Sequence, residues 1–150
     1  IEFARAMLGD AKLTSEEFDE KGMLDASKYV VHFLAGQHKE RHKGGTLRLG
    51  QYTCTLIPGT LAANAYGAEQ VSERHRHRYE FNNAFRKDLE KHGLRVSGEW
   101  AEEGIMEIVE IKDHPFMLGS QFHPEFKSRP HRPHPLFAAF AKAAVKGEKK

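Results

Sequence analysis

The sequence predicts an α/β domain. Three observations lead there. The chain has 150 residues, which suits one domain with one core. Segments with the two-residue period of strands alternate along it with segments of helical period. No internal repeat and no Pro/Gly/Ser-rich linker divides it, so residues 1–150 read as one unit.

The elements follow in order. Ile1–Leu8 is a helix, with Ile1, Ala4, Met7 and Leu8 on one face and Gly9 ending it. Residues 10–28 are polar, and Thr14-Ser15-Glu16-Glu17 reads as a cap or loop. Lys28–Leu34 is rich in β-formers and reads as a strand, and Gly36–Gly45 is a connection rich in histidine and lysine. Thr46–Leu56 reads as a strand broken near Gly50, and Thr60–Tyr66 as a short helix ended by Gly67. Val71–Phe81 alternates: His75, His77 and Tyr79 on one face, Arg74, Arg76 and Arg78 on the other. Asn82–His92 is an amphipathic helix carrying Phe85 and Leu89. Leu94–Glu99, Met106–Ile111 and Phe116–Gln121 are strands, separated by turns at Glu102–Gly104 and Lys112–Pro115. Pro135–Val145 is a helix with proline at its start and an apolar face of Leu136, Phe137, Phe140 and Ala144. The tail GEKK is solvated.

Composition narrows the classes. Apolar residues make up 39% of the chain, enough for a core with polar loops. The longest apolar patches are far too short to cross a membrane, and IEFARAM lacks the apolar centre of a signal peptide. The single cysteine, Cys54, allows no internal disulfide, which fits a cytoplasmic location. A net charge of +2 does not by itself point to nucleic acid.

Four features carry candidate chemistry. In QFHPEF, His123 and Glu125 sit two apart, and i and i+2 share a side in extended backbone. A carboxylate can then orient an imidazole that takes and returns a proton, two-thirds of a nucleophilic triad. By spacing alone, a solvent-facing strand end is the commoner origin of such a pair. In RHRHR, one arginine can clamp a small carboxylate or phosphate. An edge strand protected by charge explains the run equally well, and a phosphate-binding strip explains it less well because stacking aromatics are missing. The ten histidines form no H-E-x-x-H, and no C-x-x-C occurs, so no metal site is expected. Cys54 lies mid-strand, where nothing lowers a thiol pKa; it reads as a packed small residue.

Several segments line up in one order: GGTLRLG (44–50), ERHRHRYEFN (73–82), GLRVSG (93–98), MEIVEIKDHPFMLGSQFHPEF (106–126) and S-R-P…HPLFAAFAKAA (128–144). Together they resemble the C-terminal class I glutamine amidotransferase domain of the CTP synthase family. The opening IEFARAMLGD followed by T-S-E-E-F resembles the stretch just after that family's nucleophile turn. The resemblance implies a flavodoxin-like domain with a central, mostly parallel sheet flanked by helices. It implies that His123 is the base and Glu125 its orienting carboxylate. It implies that Glu17, in Ser-x-Glu-Phe, and Arg78, the last arginine of RHRHR, contact the substrate L-glutamine.

The family's nucleophilic cysteine stands in a G-x-C-x-G turn, which the resemblance places shortly before Ile1. By that resemblance this chain is the later part of the amidotransferase domain. The nucleophile segment and the synthase domain, its partner in the same protein, lie outside it. Alone it is expected to be inactive, and marginal in stability or insoluble, because strands lose their partners and expose apolar edges. The implied function is the glutaminase part of the enzyme: ammonia from L-glutamine feeds the ATP-dependent amination of UTP to CTP in pyrimidine nucleotide biosynthesis. No cofactor is implied for this stretch; ATP, Mg2+ and UTP belong to the parent enzyme, with GTP as activator. A homotetrameric, cytoplasmic parent is implied, with no nucleic-acid or membrane partner. The alternatives are a catalytically dead amidotransferase-like regulatory domain and, behind it, a basic nucleic-acid-binding module.

Overall fold

The structure is a computed structural model, which describes residues 1–33 and 48–147. The expected connection at 36–45, the start of GGTLRLG and the last three residues of the tail lie outside the described residues. The chain forms two compact units, each assembled from two stretches. One takes Ile1–Arg48 and His77–Gly93; the other takes Leu49–Arg76 and Leu94–Lys150.

In the first unit, α1 (Glu2–Leu8) ends where Gly9 turns left-handed at φ 65°, as the glycine predicts. A short β1 (Thr14–Ser15) pairs in parallel with β2 (Tyr29–Phe33), which pairs antiparallel with β5 (Tyr79–Phe81). Asp19 organises the loop between β1 and β2. Its carboxylate accepts from Met23 N at 2.8 Å, from Leu24 N at 3.0 Å and from the Tyr29 hydroxyl. The Tyr29 bond holds Asp19 below the usual carboxylate range and pushes the phenol up to about 12. The expected helix over Asn82–His92 starts as a 3-10 turn, Asn83–Phe85, and becomes α-helical only in α3 (Arg86–Lys91). The Asn82 side chain accepts from Ala84 N at 3.0 Å, and this local bond tightens the first turn.

The second unit is built on a five-stranded sheet in the order β4-β3-β6-β7-β8. Its strands are β3 (Arg48–Leu56), β4 (Gln70–His77), β6 (Leu94–Trp100), β7 (Ile105–Ile111) and β8 (Leu118–Ser120), the end residues Arg48 and His77 themselves belonging to the first unit. Two helices accompany them: α2 (Leu61–Tyr66), capped by Thr60, and α4 (Pro135–Gly147), which packs against α2. The expected mostly parallel sheet is corrected here. The pairings β3–β6, β6–β7 and β7–β8 are all antiparallel. For β6–β7 and β7–β8 the tight turn at 101–104 and the short link at 112–117 dictate this, because parallel neighbours need a crossover of a dozen or more residues.

Three further expectations shift. The strand through 71–81 is two strands, with a bend at Arg78 where His77 Nδ1 meets the Tyr79 carbonyl at 3.0 Å. Gly50 takes φ 112° yet β3 runs unbroken through it. On α4 only Leu136 of the expected face is buried; Phe137 and Phe140 are 42% and 59% exposed and Ala144 is exposed too.

The core of this unit joins Cys54, Leu56, Ala62, Ile108, Phe122 and Leu136. Cys54 is fully buried, as expected of a packed small residue. Gly98, at an irregularity in β6, pairs with Leu56 of β3 and Ile108 of β7. A Cβ on Gly98 would stand 2.6 Å from Cys54 Sγ and 2.9 Å from Ile108 Cγ1. Overpacking of this kind costs about 1–3 kcal/mol. Gly98→Ala should therefore lower the denaturant midpoint of the protein, and Gly98→Val should lower it further. An unchanged midpoint in urea titrations would mean that β6 can shift to make room.

Candidate active site

His123 follows β8 by two residues, with extended backbone at φ −104° and ψ 90°. Pro124 then starts a 3-10 turn, Pro124–Phe126, its fixed φ suiting the first position. The turn curls Glu125 back onto the imidazole: Glu125 Oε1 lies 2.6 Å from His123 Nδ1. The pair anticipated from strand geometry thus forms through a turn. Phe126 stacks on the His123 ring, centroids 4.9 Å apart and planes 16° from parallel, which fixes the ring's tilt.

The carboxylate can only accept, so Nδ1 carries the proton and donates it. Nε2 is then the basic nitrogen of the neutral ring, and it has no partner among the described residues. The side chains are 37% and 56% exposed, so Nε2 is accessible. The bond to His123 lowers the Glu125 pKa, keeping that carboxyl ionised. Such a pair can accept a proton at Nε2, with the resulting imidazolium stabilised at Nδ1.

The segment carrying the pair is irregular and is held by the sheet. His123 N donates to the Arg74 carbonyl at 2.9 Å, and Gln121 N donates to the Glu107 carbonyl at 2.9 Å. The Gln121 amide reaches the Met106 carbonyl, and Lys127 Nζ reaches the Ser72 carbonyl. Sequence reading missed these supports. One signal was available: Glu73 shares the period-two face of His75, and both are buried while Arg74 and Arg76 are exposed.

Glu17 and Arg78 lie on the first unit, whereas His123 and Glu125 lie on the second. Glu17 is exposed in the 3-10 turn Glu16–Phe18, whose cap is the bond from Glu17 N to Ser15 Oγ at 3.2 Å. Arg78 is exposed at the bend between β4 and β5. Neither side chain has an ion-pair partner among the described residues. The histidines of RHRHR turn elsewhere: His75 faces Glu107 at 3.6 Å in the interior, and His77 faces Glu80 at 3.5 Å. Among the described residues no group of three or more His, Cys, Asp or Glu is arranged to hold a metal ion, and no helix is long and apolar enough to cross a membrane.

The family model for glutamine amidotransferase class-I matches residues 12–143. This chain belongs to the class-I glutamine amidotransferase family. Among curated proteins, it is 52% identical over 145 residues to CTP synthase of Geobacter metallireducens, covering 97% of this chain and 26% of that protein. It is 51% identical over 146 residues to CTP synthase of Roseiflexus castenholzii, again covering 97% of this chain and 26% of the relative. The chain thus spans about a quarter of the length of these relatives. Among solved structures, a Trypanosoma brucei CTPS glutaminase domain with bound acivicin matches with a TM-score of 0.83 and 34% identity, covering 97% of this chain and 55% of that one. These likenesses agree with the class-I amidotransferase fold expected from the motifs.

A depressed carboxyl keeps its hydrogen-bonded, ionised form above the ordinary carboxylate range and loses it as pH falls through the lowered value. Removing the imidazole in His123→Ala should move the Glu125 titration up toward the ordinary range, as followed by carboxyl 13C NMR. An unmoved midpoint would mean that His123 does not set the Glu125 pKa.

Proposed function

We propose that this chain is the glutaminase part of a CTP synthase, releasing ammonia from the side-chain amide of L-glutamine. The observation that carries the reading is the His123–Glu125 pair with Nε2 open to a reactant. The motifs shared with CTP synthases and the 52% identity over nearly the whole chain support it.

In the proposed reaction, a cysteine thiol outside this chain gives its proton to His123 Nε2 and adds, as the thiolate, to the glutamine amide carbon. Cys54 is not that thiol, because it is fully buried in the core. The tetrahedral adduct expels ammonia, which takes a proton from His123 as the C–N bond breaks. A water then attacks the glutamyl thioester; His123 Nε2 accepts its proton and glutamate leaves, restoring the thiolate. Glu125 holds the ring and offsets the charge on the imidazolium throughout. Arg78 receives the α-carboxylate of glutamine through two parallel N–H bonds, and Glu17 receives its α-ammonium. The ammonia goes to a synthase domain of the same protein, where ATP, Mg2+ and UTP chemistry yields CTP under GTP stimulation. A cytoplasmic homotetramer belongs to the same reading.

Two substitutions in the complete gene product test it. His123→Ala should cut glutamine-dependent CTP formation by roughly 100-fold or more, the range for a lost general acid–base, and leave formation from added ammonia intact. Loss of both activities would reassign His123 to a structural role. Arg78→Met should raise the KM for glutamine about 10-fold or more, because a charge-assisted hydrogen bond is worth about 1.5–3 kcal/mol. If the unsubstituted protein makes CTP from ammonia but never from glutamine, the chain is instead a catalytically inert amidotransferase-like domain.

A further inference from the structure

Glu73 is a buried acid that the proposed reaction does not use. It is 2% exposed, on the inward face of β4. Its Oε1 accepts from the Tyr66 hydroxyl at 2.9 Å and lies 3.1 Å from His134 Nε2, with Lys127 Nζ at 3.9 Å. Its Oε2 has no hydrogen-bond partner among the described residues. Burying a carboxyl with one oxygen unsatisfied is costly, and such a group in a native fold calls for an explanation.

The partners of Glu73 give one. His134, also 2% exposed, sits directly before α4, and its Nδ1 accepts from Leu136 N at 3.3 Å. Nδ1 is therefore the acceptor nitrogen, so Nε2 carries the proton and donates to Glu73. His134 N in turn donates to Ser128 Oγ at 3.1 Å. Tyr66 ends α2, and its phenol pKa is raised by burial first and by Glu73 second. One carboxyl thus ties the end of α2 and the start of α4 to β4.

Glu73 lies between the two β4 residues whose carbonyls hold the active segment, Ser72 and Arg74. Lys127 Nζ bonds to the first, and His123 N bonds to the second at 2.9 Å. The stretch from His123 to His134 is accordingly laced to β4 at three consecutive residues: Arg74 at its start, Ser72 in its middle and Glu73 at its end. Between those ties it carries only a 3-10 turn and a bridge from Arg129 to Arg132.

We propose that Glu73 is a positioning residue for glutamine hydrolysis. Through His134 and Tyr66 it locks the far end of the 123–134 segment and so fixes where His123 Nε2 stands. It touches no reactant and acts through the segment alone. This rests on the glutaminase reading, but its structural half does not.

The test uses the complete gene product, with glutaminase kinetics and amide hydrogen exchange of residues 121–134 read in parallel. In Glu73→Ala, kcat should fall about 10-fold or more while the KM for glutamine stays within about 3-fold, because only proton-transfer geometry is lost. The 121–134 amides should exchange about 10-fold faster, while those of β6 and β7 stay unchanged. Glu73→Gln keeps an oxygen acceptor for both donors and should restore both readouts to within about 3-fold of the original. Should the alanine variant fail to fold, Tyr66→Phe removes one donor without opening a cavity and should accelerate the same amides about 3-fold. Unchanged exchange in 121–134, or a glutamine variant as impaired as the alanine one, overturns the proposal. Exchange needs no glutamine, so a protein without glutaminase activity would refute the functional reading and still leave the lacing to be decided by exchange.

Discussion

The bond from His123 N to the Arg74 carbonyl is the constraint on which the candidate site depends. The segment after β8 has no strand or helix ladder of its own to set its path. A backbone bond to a neighbouring strand is the cheapest way to give such a segment one register, because it also satisfies an N–H that would otherwise be lost. It works because β4 alternates. Glu73 and His75 point into the unit, Arg74 and Arg76 point to solvent, and the main chain is left to bond sideways. A slip of one residue in β4 would bury two arginines and expose Glu73 and His75, so the pattern fixes the register.

Beneath the site the unit combines a small apolar core with buried polar pairs. Cys54, Gly98 and Ile108 approach so closely that Gly98 has no room for a side chain, and the irregularity in β6 falls at this contact. Beside it His75 and Glu107 are both fully buried, 3.6 Å apart. Tyr52 and Phe122 meet the His75 ring at centroid distances of 5.3 and 5.8 Å. A buried pair adds little net stability over an apolar replacement, but a wrong pairing would strand a charge in the interior. The first unit repeats the device with Arg48 and Glu80, both almost inaccessible, 3.2 Å apart. Each unit thus carries an apolar cluster or short sheet whose alternatives are penalised by a polar pair.

Much of this was legible from local pattern and some of it was not. Gly9 and Gly67 marked helix ends, where both adopt left-handed φ. Thr60 and Pro135 marked helix starts, because capping and fixed φ are properties of single residues. The pairing of His123 with Glu125 was legible from spacing plus the stiffness of Pro124, although a turn and not a strand produces it. Sheet direction does not follow from the family's mostly parallel architecture; between β6, β7 and β8 it follows from links too short for a crossover. The face of α4 was misread because amphipathic spacing says which residues can be buried, not whether a neighbour is there to bury Phe140. The tie between Glu73 and His134 spans 61 residues, and no local period reports a contact of that range.

The candidate residues divide by how much order they have before any ligand arrives. His123 is held by Phe126 on its face, Glu125 at its edge and Arg74 through its backbone. Glu17 and Arg78 have exposed side chains with no ion-pair partner among the described residues. On the proposed reading, this division follows from what each must do. Proton transfer gains from a donor already at its post, since misplacement by an ångström is costly in rate. A guanidinium and a carboxylate that meet a zwitterion lose rotamer freedom only when the ligand binds, and that cost tempers affinity without touching the chemical step. Order on β4's strap and freedom at Glu17 and Arg78 would then tune rate and affinity by separate means.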